Sequence, residues 1–346
     1  MRDFPFISVV MPVRNAGRYI GGAIESILTQ DYPHERMEIV VVDGMSDDNT
    51  REVVKSYCGR GIDIRVIDNR GKTVPYAMTL GVLNIKGEIL TRLDGHARFS
   101  PNYLSRTVSA MMDGRADVVG GRLVSEGEGL IGEVVAITMS SFVGVGMSFR
   151  TMREDRLVDT LAFGLYRRKD LLSAGEYIPY LTRNSDEEHN YRMREMGKRM
   201  IVLADLPVKY IVRGSFFKLI KQMYGYGFYK PVVLYLHPHF LRLRQILPVS
   251  FILFAGLVVS SLIYGGWWAL ILSFLPFGLY ITTVLAFVIN NARKHGIVKG
   301  ILTGLSAMLM HTSYGLGEVF GILKATIMIV RGDLHQLKKS WYRFNL

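Results

Sequence analysis

From Ile246 to Ile289 the chain carries no charged side chain. A helix packed in a soluble core normally keeps charge on its outer face, so a run of this kind constrains the fold more than any other feature. At about 1.5 Å per helical residue, these 44 positions reach roughly 66 Å, two crossings of a hydrocarbon layer about 30 Å thick. The run predicts spans at about 247–265 and 267–289, with Gly265 and Gly266 at the reversal and Tyr264, Trp267 and Trp268 at the interface. A buried helical hairpin of a large soluble core is the competing reading. A third apolar segment, about 300–323, contains His311 and several small residues. If it crosses, Arg331, Lys338, Lys339 and Arg343 end on the outer side, against the usual bias of basic residues. A re-entrant or in-plane helix is therefore favoured over a third span.

The net charge of +12 is unevenly placed, with no acid between Asp205 and Glu318. Lys209, Arg213, Lys218, Lys221, Lys230, Arg242 and Arg244 precede the first apolar span, which puts that flank on the cytosolic side and near anionic lipid headgroups. These charges adjoin a span and no nucleic-acid motif accompanies them, so nucleic acid is not an expected partner. The single cysteine, Cys58, makes no internal disulfide and fits a reducing compartment. Only six residues precede Ile7, so the apolar spans themselves are expected to target the chain.

The first hundred residues alternate short apolar strands with amphipathic helices, the pattern of a mostly parallel, Rossmann-like α/β sheet. Strands are expected at Ile7–Met11, ended by Pro12, and at Met37–Val42, Ile64–Ile67 and Ile89–Leu93. Ile20, Ala23, Ile24, Ile27 and Leu28 recur at helical spacing between the first two. A glycine-rich stretch from Gly120 to Gly146 reads as loops, followed by a strand at Leu161–Tyr166 and a helix over Asp186–Gly197. Phe216, Leu219, Ile220, Met223 and Tyr224 keep helical spacing with Lys218 and Lys221 off the stripe, which predicts a helix lying in the membrane interface. A core-facing helix of the α/β domain is the alternative.

Ligands of open α/β sheets bind beyond the carboxyl ends of the strands, and three acidic clusters stand there. Val42-Asp43-Gly44-Met45-Ser46-Asp47-Asp48-Asn49-Thr50 offers an acid for a base or ribose, although alone it is also a well-capped turn. Asp94-Gly95-His96 places two possible ligands of a divalent ion one residue apart. Asn184-Ser185-Asp186-Glu187-Glu188 opens a helix, where acids serve as caps or, if one reaches an acceptor hydroxyl, as a general base.

The ordered set Val9-Val10-Met11-Pro12-Val13-Arg14-Asn15, Val42 to Thr50, Leu93-Asp94-Gly95-His96-Ala97 and Asp186 with Arg192 resembles the family-2 inverting glycosyltransferases of GT-A fold, over roughly Ser8 to Arg192. Asp94-x-His96 in place of Asp-x-Asp, the trailing apolar segments and the tract Gln222-Met223-Tyr224-Gly225-Tyr226-Gly227 look most like the exopolysaccharide branch typified by succinoglycan glucosyltransferases. The resemblance implies that Pro12, Asn15 and Asp43 line the nucleotide with Asp94. Lys72 is a weaker phosphate contact, Asp94 and His96 hold Mg2+ or Mn2+, and Asp186 is the catalytic base. Glu187, Arg192 and Gln222 are expected on the acceptor side.

Ser185, Gly44 and Thr79 depart from residues common in the family (Glu, a second Asp and Asn), and Gly44 leaves base selection less defined. The tract from Gln222 lacks the Arg-Trp of processive synthases, so one sugar per encounter is expected. The implied activity is transfer from a nucleotide-diphosphate sugar, UDP-sugar favoured, to a lipid-linked acceptor. A polyprenyl-phosphate sugar synthase and a non-catalytic nucleotide-sugar-binding membrane scaffold are the alternatives. The expected organisation is a GT-A domain over 1–210, interface helices and a basic linker over 211–245, an α-helical membrane region over 246–330 and a basic tail over 331–346. The resulting protein is a multi-pass inner-membrane enzyme with a cytosolic catalytic domain.

Overall fold

A computed structural model describes residues 4–146, 148–212, 214–241, 256–264 and 267–341. By internal contacts the chain divides into two units. One comprises Met1–Val124, Ser148–Tyr210 and His335–Leu346; the other comprises Ser125–Met147 and Ile211–Leu334.

The first unit is built on strands buried from end to end. β1 (Ile7–Val13) and β2 (Met37–Asp43) have no exposed residue. Their side chains alternate between two cores, as a period of two requires. Ile7, Val9, Met11, Ile39 and Val41 join one cluster, and Val10, Val40 and Val42 join the other. The first cluster is closed by α1 (Ile20–Leu28), through Ile20, Ala23, Ile24 and Ile27. After α2 (Thr50–Lys55) and β3 (Asp63–Asp68), α3 (Val74–Asn84) closes the second through Ala77, Met78 and Val82. Each such Val, Ile or Met side chain taken out of water contributes about 1.5–3 kcal/mol.

β4 (Ile89–Arg92), β5 (Ala97–Phe99), α4 (Tyr103–Met112) and β6 (Val118–Glu126) follow. After a helical insertion in the other unit come β7 (Arg156–Leu157), β8 (Leu165–Arg167), a helix at Arg168–Ala174, a helix at Ser185–Glu195 and β9 (Met200–Ile211). The sheet order is β3-β2-β1-β4-β8-β6-β9-β5, with β7 on β9. The β3-β2-β1-β4 half is parallel, as the alternating pattern predicts. Beyond β4 an extension continues it in which β4–β8, β8–β6, β9–β5 and β9–β7 are antiparallel.

Three local expectations are corrected. β1 runs through Pro12 to Val13. Val10 O accepts from Leu93 N on the β4 side and Val13 O from Gly44 N on the β2 side, so alternation turns Pro12 towards β4. There the β1–β4 pairing has already ended at Val10–Arg92, and the missing N–H leaves no ladder bond unmade. Second, the Gly120–Gly146 stretch is β6 followed by α5 (Gly129–Met139) and α6 (Phe142–Val145), not loops. Its glycines are spaced between β-branched and apolar residues that supply the regular structure. Third, the strand near Leu161 begins only at Leu165.

In the second unit, α5 and α6 join the long helices α9 (Phe216–Leu236), α10 (Trp267–His295) and α11 (Ile297–Val330), the first-unit helices after β8 and before β9 being α7 and α8. Gly296, at φ 90°, makes the turn between α10 and α11. Lys299 on α11 pairs with Glu133 of α5 at 2.5 Å, and His311 is 2.9 Å from the Val143 carbonyl. α9 buries Leu219, Gln222, Met223, Gly227 and Lys230, and the backbones of α9 and α11 meet where Gly227, Gly317 and Gly321 leave no room for a Cβ. The stripe predicted for α9 is thus partly covered by α11, while Lys218 and Lys221 are exposed.

α11 is continuous over 34 residues and is, among the described residues, the one helix long and apolar enough to cross a membrane. The expected first span lies mostly outside the described residues, which show helical backbone at 256–264. Gly265, Gly266, Arg213, Arg242, Arg244 and the tail at Arg343 also lie outside them. The last element among the described residues is α12 (Asp333–Trp341).

Candidate active site

The loops that follow β1, β2 and β3 each hold one non-glycine residue in the left-handed region: Asn15 (φ 52°), Met45 (φ 57°) and Lys72 (φ 57°). Such backbone is uncommon and gathers where a binding surface dictates its shape. The first two loops are stitched together. Asn15 N donates to Ser46 Oγ at 2.9 Å, Ala16 N to Thr50 Oγ1 at 2.8 Å, Gly17 N to Asp48 Oδ2 at 3.0 Å, and Asp47 N to Asn15 Oδ1 at 3.1 Å. Burial tends to raise the Asp48 carboxyl, but hydrogen bonds from the Thr50 hydroxyl and the Gly17 and Thr50 N–H groups hold it below the usual range. Asn15 and Lys72 are exposed, whereas Pro12 is buried within β1.

Asp43 is held within its own loop. Its side chain is fully buried, and its oxygens are taken by Ser46 Oγ (2.5 Å) and Arg51 Nε (2.6 Å), with Ser46 N at 3.2 Å. Arg51 reaches on to Asp68 at 2.6 Å. With its oxygens engaged by Ser46 and Arg51, the carboxylate shapes the loop and aims Arg51.

At the next strand end, Arg92 and Asp94 form a two-pronged pair, Nε to Oδ1 at 2.7 Å and Nη2 to Oδ2 at 3.1 Å. Burial alone would lower the Arg92 pKa, but the charges of Asp94 and then Asp186 outweigh it and raise it. The structure therefore brings the Asp94 and Asp186 carboxylates into the field of one guanidinium. Gly95 is needed here, because a Cβ would come within 3.0 Å of Ala16 Cβ. The half-buried His96 packs its ring edge-on to Tyr210 at 4.6 Å, and the guanidinium of Arg150 lies 5.6 Å from the same ring. Arg150 is a cation near this strand end that the sequence reading missed. It belongs to no motif, and only the pairing of β5 with β9 places Tyr210 beside His96.

Asp186 sits in the first turn of α8, half-buried, and among the described residues it makes no hydrogen bond or ion pair. Its helix, by contrast, is locked. Glu188, His189, Asn190 and Arg192 are all buried. Arg192 bonds Glu188 (2.9 Å) and the carbonyls of Ala174 (2.6 Å) and Glu176 (2.8 Å). Asn190 accepts from Tyr166 at 2.8 Å and donates to Thr160 and Leu161 O. His189 stacks on Tyr177 at 4.1 Å, its pKa pushed down to about 3 by burial and then by the Arg192 charge. Arg192 is therefore a buried strut between α7 and α8. Glu187 accepts from Tyr191 at 2.8 Å in the same turn. Gln222 lies in the other unit, buried in α9 and bonded to Tyr226 at 3.2 Å.

Among the described residues no three His, Cys, Asp or Glu side chains converge as a metal cage. Mg2+ and Mn2+ are commonly held by one or two protein ligands completed by substrate phosphates. Asp94 with His96, at a strand end and partly exposed, fits that second kind of site and not the first.

Residues 8–171 match the family described as Glycosyl transferase family 2. The chain is 25% identical over 320 residues, 87% of its own length and 98% of the relative's, to the dolichyl N-acetyl-alpha-D-glucosaminyl phosphate 3-beta-D-2,3-diacetamido-2,3-dideoxy-beta-D-glucuronosyltransferase of Methanococcus voltae. It is 24% identical over 314 residues, 89% of its length and 92% of the relative's, to the succinoglycan biosynthesis protein ExoA of Rhizobium meliloti. The fold is similar to that of the mannosyltransferase PcManGT of Pyrobaculum calidifontis, solved with GDP-Man and Mn2+, at a TM-score of 0.53 and 17% identity over 95% of this chain and 88% of that one. Residues 8–171 thus carry a Glycosyl transferase family 2 domain, and the fold that holds it is GT-A-like α/β.

Proposed function

We propose that the enzyme moves a sugar from a nucleotide-diphosphate donor, a UDP-sugar favoured, to a hydroxyl of a lipid-linked saccharide at the cytosolic face of a membrane, with inversion and one sugar per encounter. The observation that carries this reading is the Asp186 carboxylate, unbonded among the described residues on a helix whose neighbouring side chains are fixed, and within the charge field of Arg92. A general base needs that combination of fixed position and free lone pairs. Asp186 takes the proton from the acceptor hydroxyl as its oxygen bonds to the anomeric carbon. The bond to the donor phosphate breaks on the opposite side, and its electron pair leaves with the nucleoside diphosphate. Arg92 lies where that charge collects, with Arg150 on the Tyr210 side. A divalent ion held by Asp94, His96 and the diphosphate would supply Lewis-acid stabilisation of the leaving group.

The lipid-linked acceptor is supported by the names of the two full-length relatives, one acting on a dolichyl-phosphate-linked sugar and one in succinoglycan assembly. Attachment through 246–330, including α11, would keep the catalytic unit near such an acceptor. Asp186→Asn tests the assignment. Turnover should fall by about 10²–10⁴-fold while the dissociation constant of the donor, read by calorimetry, changes less than about threefold. Equal losses in turnover and donor binding would remove Asp186 as the base.

A further inference from the structure

We propose that Arg92 is a resident counter-cation that makes metal binding at Asp94 conditional on the donor diphosphate; this rests on the reading of Asp94 as the carboxylate of the diphosphate site. Arg92 ends β4 and Asp94 lies two residues on, so the pairing is built into the local backbone. Both oxygens of Asp94 are engaged, at 2.7 and 3.1 Å. The two side chains are only 17% and 14% exposed, so mobile ions screen them poorly.

Without nucleotide, a divalent ion approaching Asp94 therefore meets a carboxylate already neutralised, with a positive charge alongside. A nucleoside diphosphate changes both conditions. Its oxygens offer the guanidinium the same two-pronged geometry that Asp94 gives it, and they supply the ligands that Asp94 and His96 lack. Arg92 can exchange one anion for the other, freeing Asp94 as the diphosphate arrives. Metal and nucleotide then bind with positive coupling, and by linkage each strengthens the other equally. The motif is legible as Arg-x-Asp-x-His over Arg92, Asp94 and His96, in which the first residue sets when the other two are available.

The test measures Mn2+ binding to the purified full-length protein by the electron paramagnetic resonance signal of free Mn2+, alone and with saturating UDP or GDP. Wild type should bind Mn2+ weakly alone and at least tenfold more tightly with one of the diphosphates. Arg92→Gln should tighten binding of Mn2+ alone by at least tenfold and shrink the coupling. Arg92→Lys, which keeps the charge and loses the fork, should fall between the two and serves if the glutamine variant melts early. Unchanged or weaker Mn2+ binding in both variants would overturn the role of Arg92. Asp94→Asn separates the two readings: nucleotide-dependent Mn2+ binding that survives it would remove Asp94 from the metal site, whatever Arg92 does.

Discussion

Asp43 and Asp186 are both acids that stand before or within the first turn of a helix, and the fold treats them in opposite ways. Asp43 is sealed, with Ser46 and Arg51 on its oxygens. Asp186 is half-exposed and, among the described residues, its carboxylate is unbonded, while Glu188 and Arg192, on the same helix, are paired with each other and buried. In one region the carboxylate is the thing held; in the other everything around the carboxylate is held so that it stays available. The comparison teaches that an acid in a motif carries chemistry only where the surroundings fix its position without consuming its lone pairs.

Removing the strut should disturb the second region most. Arg192→Met leaves Glu188 charged and buried with no cation, which should cost about 3–5 kcal/mol of stability in a denaturant titration. A loss below about 1 kcal/mol would mean that Asp186 is not held by this network. Asp43→Asn, in the first region, should cost about 1.5–3 kcal/mol, because a hydrogen-bonded carboxylate is lost while the half-exposed Arg51 keeps Asp68 and water. Variant protein that is folded and saturated with donor should keep turnover within a few-fold of wild type. A thousandfold loss there, with stability intact, would put Asp43 in the chemistry after all.

A third test concerns pH. The folded His189 ring resists protonation down to about 3, while an unfolded histidine takes a proton near 6.5. Below that value the unfolded state binds more protons. Stability should therefore be level above about pH 7 and fall as pH drops from about 6.5 towards 3, by no more than about 1.4 kcal/mol per unit. His189→Phe keeps a ring on Tyr177 and should lose that part of the slope, which melting curves across the range would show.

Much of the first unit was legible because its strands are buried on both faces and read as continuous apolar runs, as in Ile39-Val40-Val41-Val42. The strand ends then located the acidic clusters. What escaped depends on contacts distant in sequence. Nothing local distinguishes Asp43 from Asp186, since burial of the first follows from Arg51 bridging to Asp68 and the freedom of the second from a network reaching Thr160 and Ala174. The burial of Arg192 could not be read locally, because the hydrogen bonds that allow α8 to bury its charges come from α7 and from the loop around Glu176. Glycines between Gly120 and Gly146 suggested loops where α5 packs with α11, a helix that begins more than 150 residues later.

The most direct test of the enzyme's assignment is a label partition. Detergent-purified full-length protein is given radiolabelled nucleotide sugars one at a time with total lipid extract, with and without Mn2+, and sugar entering the organic phase is counted against nucleoside diphosphate released. The account predicts one preferred donor and equal amounts of lipid-borne sugar and nucleoside diphosphate, both dependent on Mn2+. Release of diphosphate with all of the sugar left in water, under every donor, would contradict a lipid-linked acceptor.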